Sequence, residues 1–171
     1  FLDLCLRWNI FRAIRKSIAR FRPEVIGVSI RNIDNVNMLH PVSYLPEIVR
    51  ITGYIREITS VPLVVGGSGA SLMPANVLKL LGADFIVVAD GEDSFTRLIE
   101  AIETGDSTDN IPGVGRMIAG KFHLTEPKLS EFNSGNPDLG RWIDTRPYQK
   151  IGSSYNIQTK RGCRQHCIYC T

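Results

Sequence analysis

The sequence lacks any long hydrophobic run, since no apolar stretch approaches the roughly 18–20 residues that a membrane-spanning helix needs. No basic leader precedes an apolar segment at Phe1, so a signal peptide is not indicated. A strong charge excess is also missing, because 20 basic residues stand against 17 acidic ones. This balance is too mild to indicate nucleic-acid binding. We therefore expect a globular chain with no membrane span and no nucleic-acid partner.

Cysteine is scarce, and its distribution is uneven. Of the four cysteines, Cys5 stands alone, while Cys163, Cys167 and Cys170 lie within eight residues of one another. A disulfide scaffold would spread its cysteines along the chain. The cluster instead predicts a metal or iron–sulfur site in a reducing, cytoplasmic compartment, and Cys5 is expected to pack in the core. The chain also starts without Met and stops one residue after Cys170, so we expect a fragment of a longer protein.

The first hundred residues alternate strand-like and helix-like segments. Apolar runs predict strands at 25–30, 62–65 and 85–89, with the end of another at 1–5, and helical periods occupy 10–21, 44–59 and 95–102. Pro74 and Gly82 suit the first turn and the end of one more helix. Repeated strand–helix units predict an α/β domain over residues 1–105, with a Rossmann-like or flavodoxin-like parallel sheet and helices on both faces. The run at 25–30 is expected to be buried on both faces.

Residues 106–153 are rich in Gly, Pro, Asn and Asp and predict an irregular linker. A β-hairpin is expected within it, from strands at 114–118 and 121–124 around Ala119 and Gly120. Residues 155–159 then predict a strand that leads into the cysteines, at the start of a third segment, 154–171.

Small, polar and glycine-rich segments follow the apolar strands. In an open α/β sheet ligands bind beyond the carboxyl ends of the strands. Glycine permits close backbone approach, and a serine hydroxyl can hydrogen-bond a ring nitrogen or a ribose. The glycines could equally form only a tight strand-to-helix turn, and the polar loop at 31–37 could be a solvated loop. The candidate ligand residues are Ser29, Ile30, Arg31, Asn32, Gly66, Gly67, Ser68, Gly69, Asp90, Gly91 and Glu92.

The three clustered cysteines have the spacing CxxxCxxC. Thiolates are the usual ligands of iron–sulfur clusters, and three of them can hold three irons of a 4Fe–4S cubane and leave the fourth iron open. Three cysteines with His166 could instead supply the four ligands of a structural zinc site. Zinc sites usually come as two separated pairs, however, and His166 directly precedes Cys167, so the two would rarely both reach one ion.

This spacing, with Tyr169 at the aromatic position of CxxxCxΦC, resembles the radical S-adenosylmethionine (SAM) superfamily. The resemblance implies that Cys163, Cys167 and Cys170 bind a 4Fe–4S cluster and that Tyr169 lies near the adenine of SAM. It also implies that the cluster cleaves SAM to a 5′-deoxyadenosyl radical, and that residues 155–159 form the first strand of a (β/α) barrel. Beyond the cluster ligands, no catalytic residue is indicated.

A Rossmann-like domain in front of this motif resembles the cobalamin-binding radical SAM enzymes. The similarity rests on the segment that ends at Ser29, on Gly66 and Gly67 followed by Ser68, and on the Asp90–Gly91–Glu92 segment. It implies cobalamin on residues 1–105, with those strand ends as contacts. Two departures are plain: Arg31 stands where the wider fold has Leu, and the cobalt-ligating motif Asp-x-His-x-x-Gly is absent from the chain.

The resemblance implies a cobalamin-dependent radical SAM enzyme, in the first place a methyltransferase, with a small natural-product-like substrate and an electron donor such as flavodoxin or ferredoxin. Two alternatives stay open. The Rossmann-like domain could have lost cobalamin, or the chain could be a non-catalytic cobalamin- or zinc-binding module.

Overall fold

The computed structural model describes residues 1–128 and 139–152. Helix α1 (Ile10–Phe21) precedes strand β1 (Ile26–Ser29), and α2 (Leu45–Ile58) precedes β2 (Leu63–Gly66). The chain continues through α3 (Ser68–Ser71), α4 (Pro74–Leu81), β3 (Phe85–Val87) and α5 (Gly91–Thr104). The last described elements are β4 (Val114–Ile118), β5 (Lys121–Leu124), α6 (Leu139–Trp142) and α7 (Arg146–Lys150).

The five strands form one sheet in the order β1-β2-β3-β4-β5. Strands β1, β2 and β3 run parallel, with Val28 opposite Val65 and Val65 opposite Ile86. Strands β4 and β5 form the predicted hairpin, and β4 pairs antiparallel with β3. The hairpin therefore extends the sheet of the domain instead of standing in a separate linker, and the sheet is mixed.

Helices cover both faces of the sheet, as predicted. On one face, Val65 and Ile86 pack with Leu78 of α4, and Leu63 packs with Ile14 of α1 and Ile55 of α2. On the other face, Val64 and Val87 pack with Leu98 of α5. The alternation of side chains along β2 thus divides one strand between two cores.

Caps define the boundaries of α1, α4 and α5, and Gly82 ends α4 as the sequence predicted. The Asn9 side chain accepts a hydrogen bond from the backbone N–H of Arg12 at 2.8 Å, which satisfies one of the free donors of α1. Gly82 and Gly105 end α4 and α5 in the left-handed conformation. Phe21, the last residue of the helical period expected at 10–21, is exposed.

Two expectations for the start of the sheet are wrong. Residues 1–5 form no strand: Leu2 and Leu4 pack on the core, while Cys5 turns away and is exposed, its N–H donating to the Asp3 carboxylate. Strand β1 is not buried on both faces, because among the described strands it lies at the sheet edge, where Gly27 and Ser29 are exposed. Within its apolar run, Ile26 and Val28 pack on the α1–α2 side, whereas Val25, just before the strand, packs on the core that holds Leu98 of α5.

The linker is also more regular than expected. Short helices α6 and α7 occupy part of it, and α7 begins after Thr145 with Pro147 in its first turn. The predicted strand at 155–159 lies outside the described residues.

The close contact at Gly115 gives a stability prediction. A Cβ at this position would lie 2.9 Å from side-chain atoms of both Ile86 and Phe122. We expect Gly115→Ala to lower the free energy of unfolding by about 1–3 kcal/mol, because the sheet and the hairpin cannot both shift. Gly53→Ala, in α2 with nothing within 4 Å of its Cβ, is the control and should raise it by about 0.5–1 kcal/mol. Urea unfolding measures both, and equal effects would contradict this account.

Candidate functional site

The loops after β1, β2 and β3 meet at the carboxyl edge of the sheet and are tied to one another. The N–H of Gly69 donates to the Ile30 carbonyl at 2.9 Å, and the Ser68 hydroxyl donates to the Arg31 carbonyl at 2.8 Å. The Ser71 hydroxyl donates to the Gly67 carbonyl and accepts the Ala89 N–H at 3.1 Å, which joins the second loop to the third. The edge is therefore a set of fixed loops.

The close packing of the loops requires glycine at three positions of this edge. Gly67 has φ +96°, and a Cβ there would lie 2.6 Å from the Ile30 carbonyl oxygen. A Cβ on Gly69 would lie 3.0 Å from the Arg31 carbonyl oxygen, and one on Gly66 would lie 3.2 Å from the Val87 carbonyl oxygen. The tight-turn interpretation thus explains these three glycines without any ligand.

Three of the predicted site residues have side chains that take no part in the hydrogen bonds between the loops. Ser29, Arg31 and Asn32 are exposed, and no side-chain hydrogen bond or ion pair joins them to the rest of residues 1–128 and 139–152. Ile30 behaves differently, because its side chain is 2% exposed and its backbone N–H and carbonyl are both paired. Ile30 is an anchor of the loop, and the structure gives it no free group for a ligand.

The third strand end carries acidic groups at the start of α5. Asp90 precedes the helix, and Gly91 and Glu92 are its first two residues. Ala89, just before them, has φ +65° and lies at the Ser71 hydroxyl. Sequence reasoning did not single out Ser71, because its role depends on contacts between loops that no spacing reveals.

The loop at 31–43 is ordered by its own side chains. The Asn35 side-chain oxygen accepts the N–H groups of Asn37 and Val42 at 3.2 and 3.0 Å, and its amide donates to the His40 carbonyl at 2.9 Å. The loop holds Met38 and Leu39 almost fully exposed to solvent. It is therefore a fixed projection beside Ser29 and Arg31.

No described residues form a metal centre. Within residues 1–128 and 139–152, no group of three or more His, Cys, Asp or Glu side chains lies close enough to hold a metal ion. Cys163, Cys167, Cys170 and Tyr169 lie outside the described residues, so their roles stay predictions. Among the helices of the described ranges, none is both long and apolar enough to cross a membrane.

Residues 1–99 match the model of the B12 binding domain. The chain belongs to the B12-binding domain family. This match covers more than half of the chain, and it agrees with the parallel strands and the loop edge described above.

Relatives of this B12-binding domain extend well beyond it. Tryptophan 2-C-methyltransferase of Streptomyces laurentii is 31% identical over 116 residues, which are 66% of this chain and 19% of the relative. Cytidylyl-2-hydroxyethylphosphonate methyltransferase of Streptomyces wedmorensis is 22% identical and covers 92% of this chain and 34% of its own. The chain therefore spans about a fifth to a third of the length of these relatives.

Solved structures are similar to the same part of this chain. The radical SAM methyltransferase TsrM of Kitasatospora setae, with cobalamin and a [4Fe–4S] cluster bound, has a TM-score of 0.67 at 28% identity, over 77% of this chain and 24% of its own. The cobalamin-dependent radical SAM enzyme OxsB, at 18% identity, has a TM-score of 0.54 over 71% of this chain and 16% of its own, and supports the fold alone. The predicted resemblance to cobalamin-binding radical SAM enzymes is confirmed at the level of the family.

A cavity lies between the first residues of the chain and the segment of α6 and α7. It has a volume of about 390 Å³ and is lined by Phe1, Leu6, Arg7 and Trp142 among others. On its wall the Tyr148 hydroxyl donates to the Asp3 carboxylate. Sequence reasoning missed this contact, since it joins residues 145 positions apart.

Burial alone would raise the pKa of Asp3, but hydrogen bonds from Tyr148 and from the Cys5 N–H, with the charge on Arg7, bring it below its ordinary 3.8. The same hydrogen bond raises the pKa of Tyr148 well above its ordinary value.

Removal of this hydroxyl tests the contact. We expect Tyr148→Phe to raise the pKa of Asp3, measured by carboxyl NMR titration. A lowered carboxylate pKa stabilises the fold above the unfolded value of about 3.8, and this contribution is lost as the pH falls through the folded pKa. The stability gap between wild type and variant should therefore be larger at pH 7 than at pH 2. An Asp3 titration unchanged in the variant would contradict the contact.

Proposed function

We propose that this chain is the cobalamin-binding part of a cobalamin-dependent radical SAM methyltransferase and that cobalamin lies on the carboxyl edge of β1–β3. The observation that carries the proposal is the group of exposed side chains on Ser29, Arg31 and Asn32, which form no hydrogen bond or ion pair within the described residues. They project from loops that are already fixed, in a family defined by B12 binding. Binding of a ligand to these side chains therefore costs little loop conformational entropy, because the loops are already ordered.

The residues of the edge divide into supports and contacts. Gly66, Gly67, Gly69 and Ile30 hold the loops close together, which leaves the edge low enough for a large ligand to approach. Ser29 and Asn32 donate hydrogen bonds to the cofactor's amide and nucleotide groups, and Arg31 supplies a positive charge for its phosphodiester.

Two further groups complete the proposed edge. Ser68, whose hydroxyl proton is already donated to Arg31, can still accept a hydrogen bond. Asp90, Gly91 and Glu92 bound the site on the side of α5.

The proposal extends to the cysteines beyond the described residues. Cys163, Cys167 and Cys170 would hold a 4Fe–4S cluster, with Tyr169 near the adenine of SAM, as residues 154–171 begin the radical SAM domain. Cobalamin would carry a methyl group, and the protein would orient it. The substrate would be a small molecule, as tryptophan is for TsrM, the electron donor a flavodoxin or ferredoxin, and the compartment the cytoplasm.

Cobalamin binding is the direct test. Titration of hydroxocobalamin into the full chain should shift its visible spectrum, and the complex should survive gel filtration. Ser29→Ala and Asn32→Ala should each weaken binding about 3- to 10-fold, the loss of one hydrogen bond of about 0.5–1.5 kcal/mol.

The matched controls for this titration are Ser60→Ala and Asn76→Ala. Both residues are exposed and lie outside the segments 29–32, 66–69 and 90–92, so the affinity of these two variants for cobalamin should stay within twofold of wild type. No spectral change with the folded wild-type chain would remove the cobalamin proposal. Equal weakening in the site variants and the controls would remove the residue assignments.

The cysteines allow an independent test. Anaerobic reconstitution with iron and sulfide should give the broad visible absorption of a cubane, because three thiolates can hold three of its irons. Cys163→Ala should lose this absorption, whereas Cys5→Ala, which changes an exposed cysteine far along the chain, should keep it. Tight binding of zinc without uptake of iron would replace the cluster with a structural zinc site.

A further inference from the structure

The loop after β1 forms a short hairpin of its own. The N–H of Tyr44 donates to the Ile33 carbonyl at 2.8 Å, and an isolated antiparallel bridge joins Asp34 to Ser43. These residues are the two sides of a stem. Residues 36–41 then connect the two sides at the far end of the hairpin.

The base of this hairpin is fixed at the carboxyl edge of the sheet. Ile33 packs against the core on the α4 side of the sheet, and the Arg31 carbonyl accepts the Ser68 hydroxyl proton at 2.8 Å. The two stem residues after Ile33 carry the chain roughly 7 Å further, at about 3.3 Å a residue. The far end of the hairpin therefore stands off from the segment 29–32 and is held in place by its base.

The far end of the hairpin exposes a cluster of apolar side chains. Val36, Met38 and Leu39 are 80%, 96% and 85% exposed, and we call these three side chains the apolar tip. Single exposed apolar residues are common on protein surfaces, but a cluster of them indicates a surface that a ligand or partner covers. Among the described residues, the other large apolar side chains exposed to this degree, Phe1 and Trp8, stand singly.

Hydrogen bonds hold the apolar tip in this exposed arrangement. The Asn37 side-chain oxygen accepts the N–H groups of Leu39 and His40 at 3.0 and 3.1 Å, and the Asp34 carboxylate accepts the N–H of Val36 at 2.8 Å. Val36 has φ +54°, which is unfavourable for a β-branched residue. The loop therefore keeps its apolar side chains in water at a cost in backbone strain, and strain of this kind is concentrated at ligand sites.

The polarity of the loop changes from its base to its far end. Ser29, Arg31 and Asn32 offer hydroxyl, guanidinium and amide groups at the base, whereas the apolar tip offers only hydrocarbon and thioether groups. Cobalamin is divided in the same way, because a polar nucleotide tail with a phosphodiester is joined to a broad macrocycle with methyl groups on its periphery. A cofactor with its phosphodiester at the base can therefore place its macrocycle against the apolar tip.

We infer that the apolar tip binds the macrocycle of cobalamin. The inference rests on the proposed function and extends it, because Ser29, Arg31 and Asn32 meet only polar groups of the cofactor. Contact with the macrocycle removes the side chains of Met38 and Leu39 from water, which favours binding. Since the hairpin is already ordered, this contact costs little loop conformational entropy.

The three methionines of the chain allow a direct test. They are Met38, Met73 and Met117, so methionine labelled with ¹³C at its methyl group gives three NMR signals, which single Met→Leu variants assign. Binding of hydroxocobalamin to the full chain should shift the Met38 signal. Reduction of the bound cobalt to paramagnetic Co(II) with dithionite should broaden or shift this signal further.

Met117 is the internal control of this measurement. Strand β4 runs away from the carboxyl edge after Val114, which is opposite Val87, so Met117 lies towards the other edge of the sheet. Its signal should change least of the three. A Met38 signal that stays unchanged in a chain with bound cobalamin would overturn the inference and leave the proposed function standing.

Substitution separates the macrocycle from the tail. Met38→Ser with Leu39→Ser should lower the affinity for hydroxocobalamin about tenfold, and equally the affinity for cobinamide, which has the macrocycle without the nucleotide tail. Met38→Leu with Leu39→Met keeps the apolar surface and should bind both ligands within about threefold of wild type. A loss for hydroxocobalamin alone would place the apolar tip on the tail, and a loss for neither ligand would remove it from the site. Either result overturns the inference.

The control variant, Phe21→Ser with Leu80→Ser, removes two apolar side chains that are 67% and 50% exposed on α1 and α4. Its affinity for both ligands should stay within about threefold of wild type, because the large apolar contact is kept. Equal losses in this variant and in the tip variant would contradict the inference. If the tip variant is unfolded by circular dichroism, or if cobinamide binds the wild type too weakly to titrate, the Met38 signal of the wild-type chain decides.

The remaining outcomes concern a second copy of the chain and the cofactor itself. If two copies instead cover each other's apolar tips, sedimentation should show a dimer that Met38→Ser with Leu39→Ser converts to a monomer. Such a change with unaltered affinity for hydroxocobalamin would overturn the inference. Failure of the folded wild type to bind hydroxocobalamin would remove the proposed function and the inference together, whereas binding without a change at Met38 removes the inference alone.

Discussion

The approach of the second loop to the backbone of Ile30 is the constraint on which the loop edge depends. Gly67 has room for no side chain against the Ile30 carbonyl, and the Gly69 N–H donates to the same oxygen at 2.9 Å. The side chain of Ile30 is meanwhile fixed in the core by Val65 and Ala70. One buried residue thus couples the packing of the sheet to the height and direction of two loops. Ser29 and Arg31 on either side are held through the backbone, and their side chains form no hydrogen bond or ion pair within the described residues.

Much of the fold could be predicted because its signals are local. The period of α1, the cap at Asn9 and the apolar runs of β2 and β3 each lie within a dozen residues. The misses share one cause, since they depend on neighbours in space. The apolar run of β1 does not reveal that the strand lies at the sheet edge, and the hairpin at Val114–Ile118 does not reveal that it pairs with β3.

The position of the candidate site could be predicted from the sequence, but the contacts of its residues could not. Strand ends of a parallel sheet meet at one edge, so residues 29–32, 66–69 and 90–92 could be grouped before any coordinates. Residue type alone does not predict which of these side chains form hydrogen bonds within the protein and which stay available to a ligand. Ser29 and Ser68 look alike in sequence, yet the Ser68 hydroxyl is donated to the Arg31 carbonyl, whereas Ser29 is free within the described part of the chain.

This division allows one set of fixed loops to serve different ligands. Supports such as Gly67 and Ser71 must keep their identity, because their replacement moves the loops. Exposed groups such as Arg31 and Asn32 can change without that cost, since no described contact depends on their side chains. Arg31 stands where the wider fold has Leu. This difference changes the side chain that the edge presents to a ligand but leaves the loops in place, because Ser68 hydrogen-bonds the Arg31 backbone carbonyl whatever the side chain is.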